Sequence, residues 1–263
     1  MIIDVIQLTV IFLVSLLAST YKHIGSALSI IILLVTGLSI DYTQYLKKDP
    51  FPLIKGISVI FPLILYSNYH KISDFIRLPS LLFTWILFIN ILEVPFLVQF
   101  KTDDVVSHIN GICTIILALY TPYLLYNKKT HHFTFHNNLL WAVAYTFILG
   151  SFYAFNSYYR DSKYIKLIII LLFMPTAYSM LIRDTELWIP LRVYSLALTC
   201  MIVSSKKLTD VFTGTTLDKT LQKMTNKNYS ILRSCSVAVN VVIVLWLMKQ
   251  GTDHTLLGYL LNM

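Results

Sequence analysis

The stretch Pro79–Phe100, PSLLFTWILFINILEVPFLVQF, is long enough to cross a bilayer, yet it carries Asn90 and Glu93 near its centre and Pro95 just behind them. A carboxylate at membrane depth costs roughly 3 to 10 kcal/mol, depending on its reach to water or a partner. Asn90 and Glu93 stand three residues apart, so on a helix they share one face. That face is expected to look into the protein rather than at lipid. Pro95 removes a backbone donor and frees a carbonyl one turn back, near Ile91 and Leu92. The stretch predicts a membrane helix with a polar inner side.

The flanking sequence repeats the pattern. Of 263 residues, 56% are hydrophobic and only 13% charged, with a mean hydropathy of +0.68. Apolar runs alternate with short polar clusters, which predicts an all-α, polytopic helical bundle. Periodic Gly and strict apolar alternation are missing, which excludes a transmembrane barrel. Against the roughly 20 residues that a span needs, about nine runs qualify: Ile2–Ser19, Ile24–Ile40, Pro52–Tyr69, Pro79–Phe100, Val106–Tyr126, Asn138–Asn156, Tyr164–Ile182, Glu186–Ser204 and Ile231–Lys249. The second and third are the weakest, so eight spans is the fallback. Short connections make neighbours antiparallel. The long one, residues 205–230, separates an eight-helix body (1–204) from a terminal helix and tail (231–263). Its Leu217, Leu221 and Met224 at helical spacing, with Lys219 and Lys223 between, fit a short surface helix or a solvated basic loop.

The net charge of +8 sits in the connections. It indicates topology and contact with anionic lipid, not nucleic acid, for which no folded basic module exists. Lys47, Lys48, Lys101, Arg160, Lys163 and the basic residues of 205–230 outnumber those of the alternate connections. This places the N-terminus in the cytoplasm and the protein in the plasma (cell inner) membrane. Met1–Thr20 lacks a basic start and holds Asp4, so it is expected to be a retained first span, not a cleaved signal. Cys113, Cys200 and Cys235 lie inside apolar runs and support neither a disulfide framework nor a metal site. A homo-oligomer is compatible with the sequence.

Asn90 with Glu93, Asn110 before Gly111, Trp141 with Tyr145 and Asn156, Arg192 after Trp188, and Asn240 are the polar features at membrane depth. Glu93 and Arg192 are the clear opposite charges within apolar spans, so they are expected to meet or to share a water-filled cavity, with Asn90 and Asn110 nearby. The competing expectation is that the same groups only fix helix packing. His131, His132 and His136 resemble a membrane di-iron cluster, but the seven histidines form none of the repeated boxes that two irons require; an interfacial loop is the plainer reading. Walker-type, GxSxG and HExxH sequences are missing, and no Asp sits at the centre of a span.

At Asn90-Ile91-Leu92-Glu93, Asn110-Gly111-Ile112, Trp141 with Ala144-Tyr145, Tyr153-Ala154-Phe155-Asn156-Ser157, and Trp188 with Arg192 and Leu196-Ala197-Leu198, the chain resembles an uncharacterised bacterial multi-pass membrane family, the domain of unknown function 5692 family, over roughly residues 88–199. Val94-Pro95 after the Glu and Phe152 in place of a second Trp depart from its pattern. The resemblance implies no activity; it falls on the polar residues already singled out.

Three functions follow. The first is a small transporter or channel for an ion or polar solute, its path lined by Asn90, Glu93, Asn110, Trp141, Tyr145, Asn156 and Arg192, with no cofactor and no metal. The second is a non-catalytic structural or accessory membrane protein. The third is an interfacial lipid-modifying enzyme using His131, His132 and His136.

Overall fold

The computed structural model describes residues 2–39, 51–72, 80–127, 129, 132–135, 139–155 and 165–262. Helix accounts for 84% of it. The long helices are α1 (Ile2–Thr20), α2 (Lys22–Ser39), α3 (Phe51–Ile72), α4 (Ser80–Leu97), α5 (Val105–Leu119), α6 (Leu139–Phe155), α7 (Ile165–Ile182), α8 (Trp188–Ser204) and α10 (Thr216–Lys249). The short α9 (Lys206–Phe212) and α11 (Leu256–Leu261) and a 3-10 turn at Gln99–Lys101 complete the helices. Each apolar run identified in the sequence overlaps a helix among the described residues. Among the described residues, four are long and apolar enough to cross a membrane, at Ile2–Thr20, Lys22–Ser39, Leu82–Lys101 and Asn228–Lys249. Trp188–Ser204 with Lys206–Phe212, bent by 110°, makes a fifth as a broken span. The apolar parts of the other helices are shorter.

Two boundaries differ from expectation. The run Val106–Tyr126 is not one helix: α5 ends at Leu119, and Leu124–Asn127 form strand β1. Pro122 cannot continue the helix. The segment after it pairs antiparallel with β2 (His132–Phe135), Leu124 opposite Phe135 and Tyr126 opposite Phe133. The histidine stretch therefore includes a strand rather than only a loop; His131 and His136 lie outside the described residues. Alternation turns Phe133 and Phe135 into the bundle, both buried. Residues 205–230 are mostly helix, α9 and the first part of α10, with a non-helical Asn228 marking the bend in α10. A capping box between Thr215 and Asp218 starts α10.

Contacts sort the connections into two ends. Gln7 Nε2 donates to Val211 O at 2.7 Å, and Asp4 meets Lys166, so the start of α1, the start of α7 and the end of α9 share one end. At the other end, Tyr123 N donates to His254 O and Thr185 Oγ1 to Phe135 O. This is the alternation of an antiparallel bundle. Helix α8 is its hub, packed against α1, α2, α3 and α7, and most of its side chains are buried.

Close approach at the hub relies on Gly25 of α2. A Cβ there would stand 2.2 Å from Tyr194 Oη of α8 and 2.6 Å from Ala18 O. We therefore expect Gly25→Ala to destabilise the fold by roughly 1 to 3 kcal/mol through overpacking. Gly37→Ala, with nothing within 4 Å, should leave it unchanged or slightly more stable. Thermal unfolding of the two variants in detergent is the check.

Candidate functional site

Helices α3, α4, α6 and α8 and strand β1 line a partly open cavity of about 70 Å³. Its walls are mainly aliphatic and aromatic, and Asn90, Tyr145 and Arg192 supply polar groups. Its position follows from a proline. Pro62 lies four residues after Ser58 in α3, so it cannot supply the N–H that Ser58 O would receive in an unbroken helix. Asn90 Nδ2 of α4 donates to that oxygen at 3.1 Å. Ser58 Oγ in turn donates to Glu93 Oε2 at 3.4 Å. Ser58, Asn90 and Glu93 thus pin α3 to α4 at one level, and the cavity lies beyond the pin, toward the hairpin.

Arg192 is 7% exposed and comes from the second turn of α8. Its Nε and Nη2 donate to Tyr145 Oη at 3.2 and 2.9 Å, and its Cζ lies 5.3 Å from the Tyr145 ring centre. The anticipated pairing with Glu93 is not among the contacts of the described residues: Arg192 turns to α6, whereas Glu93 turns to α3. The site residues named from sequence therefore divide. Asn90, Tyr145 and Arg192 share the cavity. Trp141 stands behind Tyr145, ring centres 5.3 Å apart, with its Nε1–H donated to Leu117 O. Asn110 is elsewhere, accepting from Asn240 Nδ2 at 2.7 Å between α5 and α10. Asn156 lies outside the described residues.

Aromatic packing holds the Tyr145 wall rigid. Trp188 meets Tyr145, Trp141 and Phe135 edge to face, with ring centres 5.2, 5.8 and 5.4 Å away. Its Nε1–H donates to Thr176 Oγ1 at 2.8 Å. Thr176 and Thr146 are hydrogen-bonded at 2.6 Å, and Thr146 Oγ1 also reaches Leu172 O of α7. The hairpin borders the cavity. Leu124 lines it, Leu124 N donates to Thr84 Oγ1, and Phe133 packs on Phe83 with ring centres 4.0 Å apart.

A second polar cluster escaped the sequence reading. Lys166, buried at the start of α7, places Nζ 2.6 Å from Gln7 Oε1, 3.2 Å from Asp4 Oδ1, 3.2 Å from Thr215 Oγ1 and 3.6 Å from Asp218 Oδ2. It ties α1, α7 and α10 together at the end opposite the hairpin. The three charges are distant in sequence; Lys166 and Asp4 sit at the edges of apolar runs and Asp218 in the basic segment 205–230, where each reads as solvated. A nearby seam is held by Arg233 of α10, which donates to Ser107 Oγ at 3.0 Å and pairs with Asp104, the N-cap of α5. Among the described residues, no three His, Cys, Asp or Glu converge as a metal would need.

No protein-family model, curated protein or solved structure matches the chain. Functional reading starts from the geometry.

Two outcomes test it. Asn90→Leu strands the Ser58 carbonyl and should lower stability by about 1 to 3 kcal/mol. Adding Pro62→Ala restores a backbone donor, so the double variant should recover most of that loss; a double-mutant cycle of melting temperatures reads the coupling. Lys166→Met leaves Asp4 and Asp218 facing each other without their cation and should cost about 3 to 5 kcal/mol. Asp4→Asn and Asp218→Asn placed on top should return part of it in the same assay.

Proposed function

We propose that this helical membrane protein crosses the bilayer nine times and carries an anionic solute through the cavity between α3, α4, α6 and α8. The observation behind this reading is Arg192, a guanidinium buried in the wall of the largest of the cavities described. A buried cation at membrane depth is costly and points to a solute or charge pathway. Arg192 would hold the solute, Tyr145 would orient Arg192, and Asn90 would supply a polar edge while closing the α3–α4 seam. Glu93 and Asn110 flank this path rather than line it.

Support for nine passes comes from the sorting of the connections. Lys101, Lys206, Lys207 and Lys219 belong to the end that holds Asp4 and Lys166, which makes that end cytoplasmic by the positive-inside rule. Residues Asn90, Trp188 and Arg192, which carry the resemblance to the domain of unknown function 5692 family, border one cavity, and membership of that family belongs to the same proposal.

The second reading, a structural or accessory membrane protein, draws on a different observation: Asn90 answers a proline-freed carbonyl and Arg192 is bonded to Tyr145, both packing roles. Flux decides between them. In proteoliposomes loaded with a halide-sensitive dye, the native chain should pass chloride or a small organic anion above protein-free vesicles. Arg192→Gln should lower that flux by about tenfold or more, the loss of a charged hydrogen-bonding partner, while Glu93→Gln retains most of it. A native chain that moves none of these anions favours the structural reading.

A further inference from the structure

Helix α10 is longer than a membrane crossing needs. Its 34 residues rise about 51 Å, against a hydrocarbon core of roughly 30 Å. The apolar part, Asn228–Lys249, is 22 residues long and spans about 33 Å by itself. It begins at the non-helical Asn228. That leaves residues 216–227 beyond the hydrocarbon. Two anchors hold this extension at one end of the bundle. Asp218 lies 3.6 Å from Lys166 Nζ at the start of α7, and Arg233 pairs with Asp104, the N-cap of α5. Helix α9 is tied to the same end by Gln7 Nε2, which donates to Val211 O. It turns 110° from α8. A helix at that angle to a membrane-crossing one lies nearly along the membrane surface.

The outer side of these two pieces is basic. Lys206 and Lys207 of α9 and Lys219 and Lys223 of α10 are exposed, and Asp210 is the only exposed acid among the described side chains of residues 205–223. None of the four lysines meets a carboxylate among the described residues. Val211 stands 61% exposed in the same short helix, with Leu208 and Phe212 half-buried beside it. Unpaired ammonium groups next to an apolar side chain at the membrane boundary match a layer of phosphate headgroups over acyl chains. A nucleic acid or an acidic protein would answer the lysines and leave Val211 in water. The opposite end has no such concentration. Lys22, Lys129, Arg183 and Lys249 are exposed there, but they come from four separate parts of the chain, with Asp184 and Asp253 exposed among them.

We propose that α9 and the first part of α10 form a docking surface for anionic phospholipid headgroups. The four lysines take the headgroup phosphates, and Val211 rests against the upper acyl carbons. The same two pieces carry Asp218 and Val211 O, the partners of Lys166 and Gln7. Lipid held on this surface therefore supports the junction of α1, α7 and α10, whatever the cavity at the other end of α8 carries.

The test uses the full chain in nanodiscs of phosphatidylcholine alone and of an equimolar mixture with phosphatidylglycerol. Cys113 is buried, so on a Cys200→Ser/Cys235→Ser background Val211→Cys can be labelled alone with the fluorophore NBD. The mixture should raise the melting temperature by roughly 5 to 10 °C and shift NBD emission to the blue. Lys206→Gln/Lys207→Gln/Lys219→Gln/Lys223→Gln should abolish both changes. Lys22→Gln/Lys129→Gln/Arg183→Gln/Lys249→Gln removes the same charge from the opposite end and should keep them. With all lysines in place, about 1 M salt should remove both changes, a check that does not depend on either variant folding. Equal melting in the two lipids, equal loss in the two charge-matched variants, or NBD emission unmoved by phosphatidylglycerol overturns the proposal. An NBD response to soluble polyglutamate rather than to phosphatidylglycerol assigns the surface to an acidic protein and overturns it as well.

Discussion

A carbonyl that loses its helical donor inside a membrane protein has no water to turn to, and every such group must be answered by another part of the chain. Pro62 creates one at Ser58, and the side chain of Asn90 answers it from the next helix. From α6, Thr146 Oγ1 also reaches a backbone carbonyl of α7, Leu172 O. The indole N–H groups of Trp141 and Trp188 obey the same rule, donating to Leu117 O and Thr176 Oγ1. Each bond joins two helices, so relief of a local fault becomes the registration of the bundle. The Ser58–Asn90 bond holds α3 and α4 together at the edge of the cavity.

The two ends of the molecule are held by different physics. At the hairpin end the grip is aromatic: Phe83, Phe133, Phe135, Trp141 and Trp188 interlock, and one strand is bonded to α4 through Thr84. At the other end it is ionic, with Lys166 between Asp4 and Asp218 and Arg233 against Asp104. Buried ion pairs fix geometry more than they add stability, since desolvation offsets much of their attraction. An end built this way specifies which helices meet. The aromatic end supplies bulk burial and, through Leu124, part of the cavity wall.

Arg192 unites structure and proposed function. Its bonds to Tyr145 hold the guanidinium still, and Tyr145 is itself wedged by Trp141 and Trp188. A cation fixed in this way loses little freedom when an anion arrives, which favours binding. The surrounding hydrocarbon strengthens the attraction by excluding water.

Composition and hydrophobic runs determined the helical class, the apolar part of most long helices and the polar groups that had to face inward, because burial in lipid penalises exposed charge wherever the chain goes. Asn90, Tyr145 and Arg192 were legible for that reason. Their partners were not. Whether Glu93 meets Arg192 depends on how α4 and α8 rotate about their axes, and that is decided by packing such as the close approach of Gly25 to Tyr194. The hairpin was visible only as Phe133 and Phe135 at alternate positions, a pattern too short to outweigh the apolar run before it. Lys166 and Asp4 stand at the margins of apolar segments and Asp218 in the basic segment 205–230, so each looks solvated in one dimension. Only the tertiary structure brings them together, since a charge pair separated by most of the chain leaves no local trace.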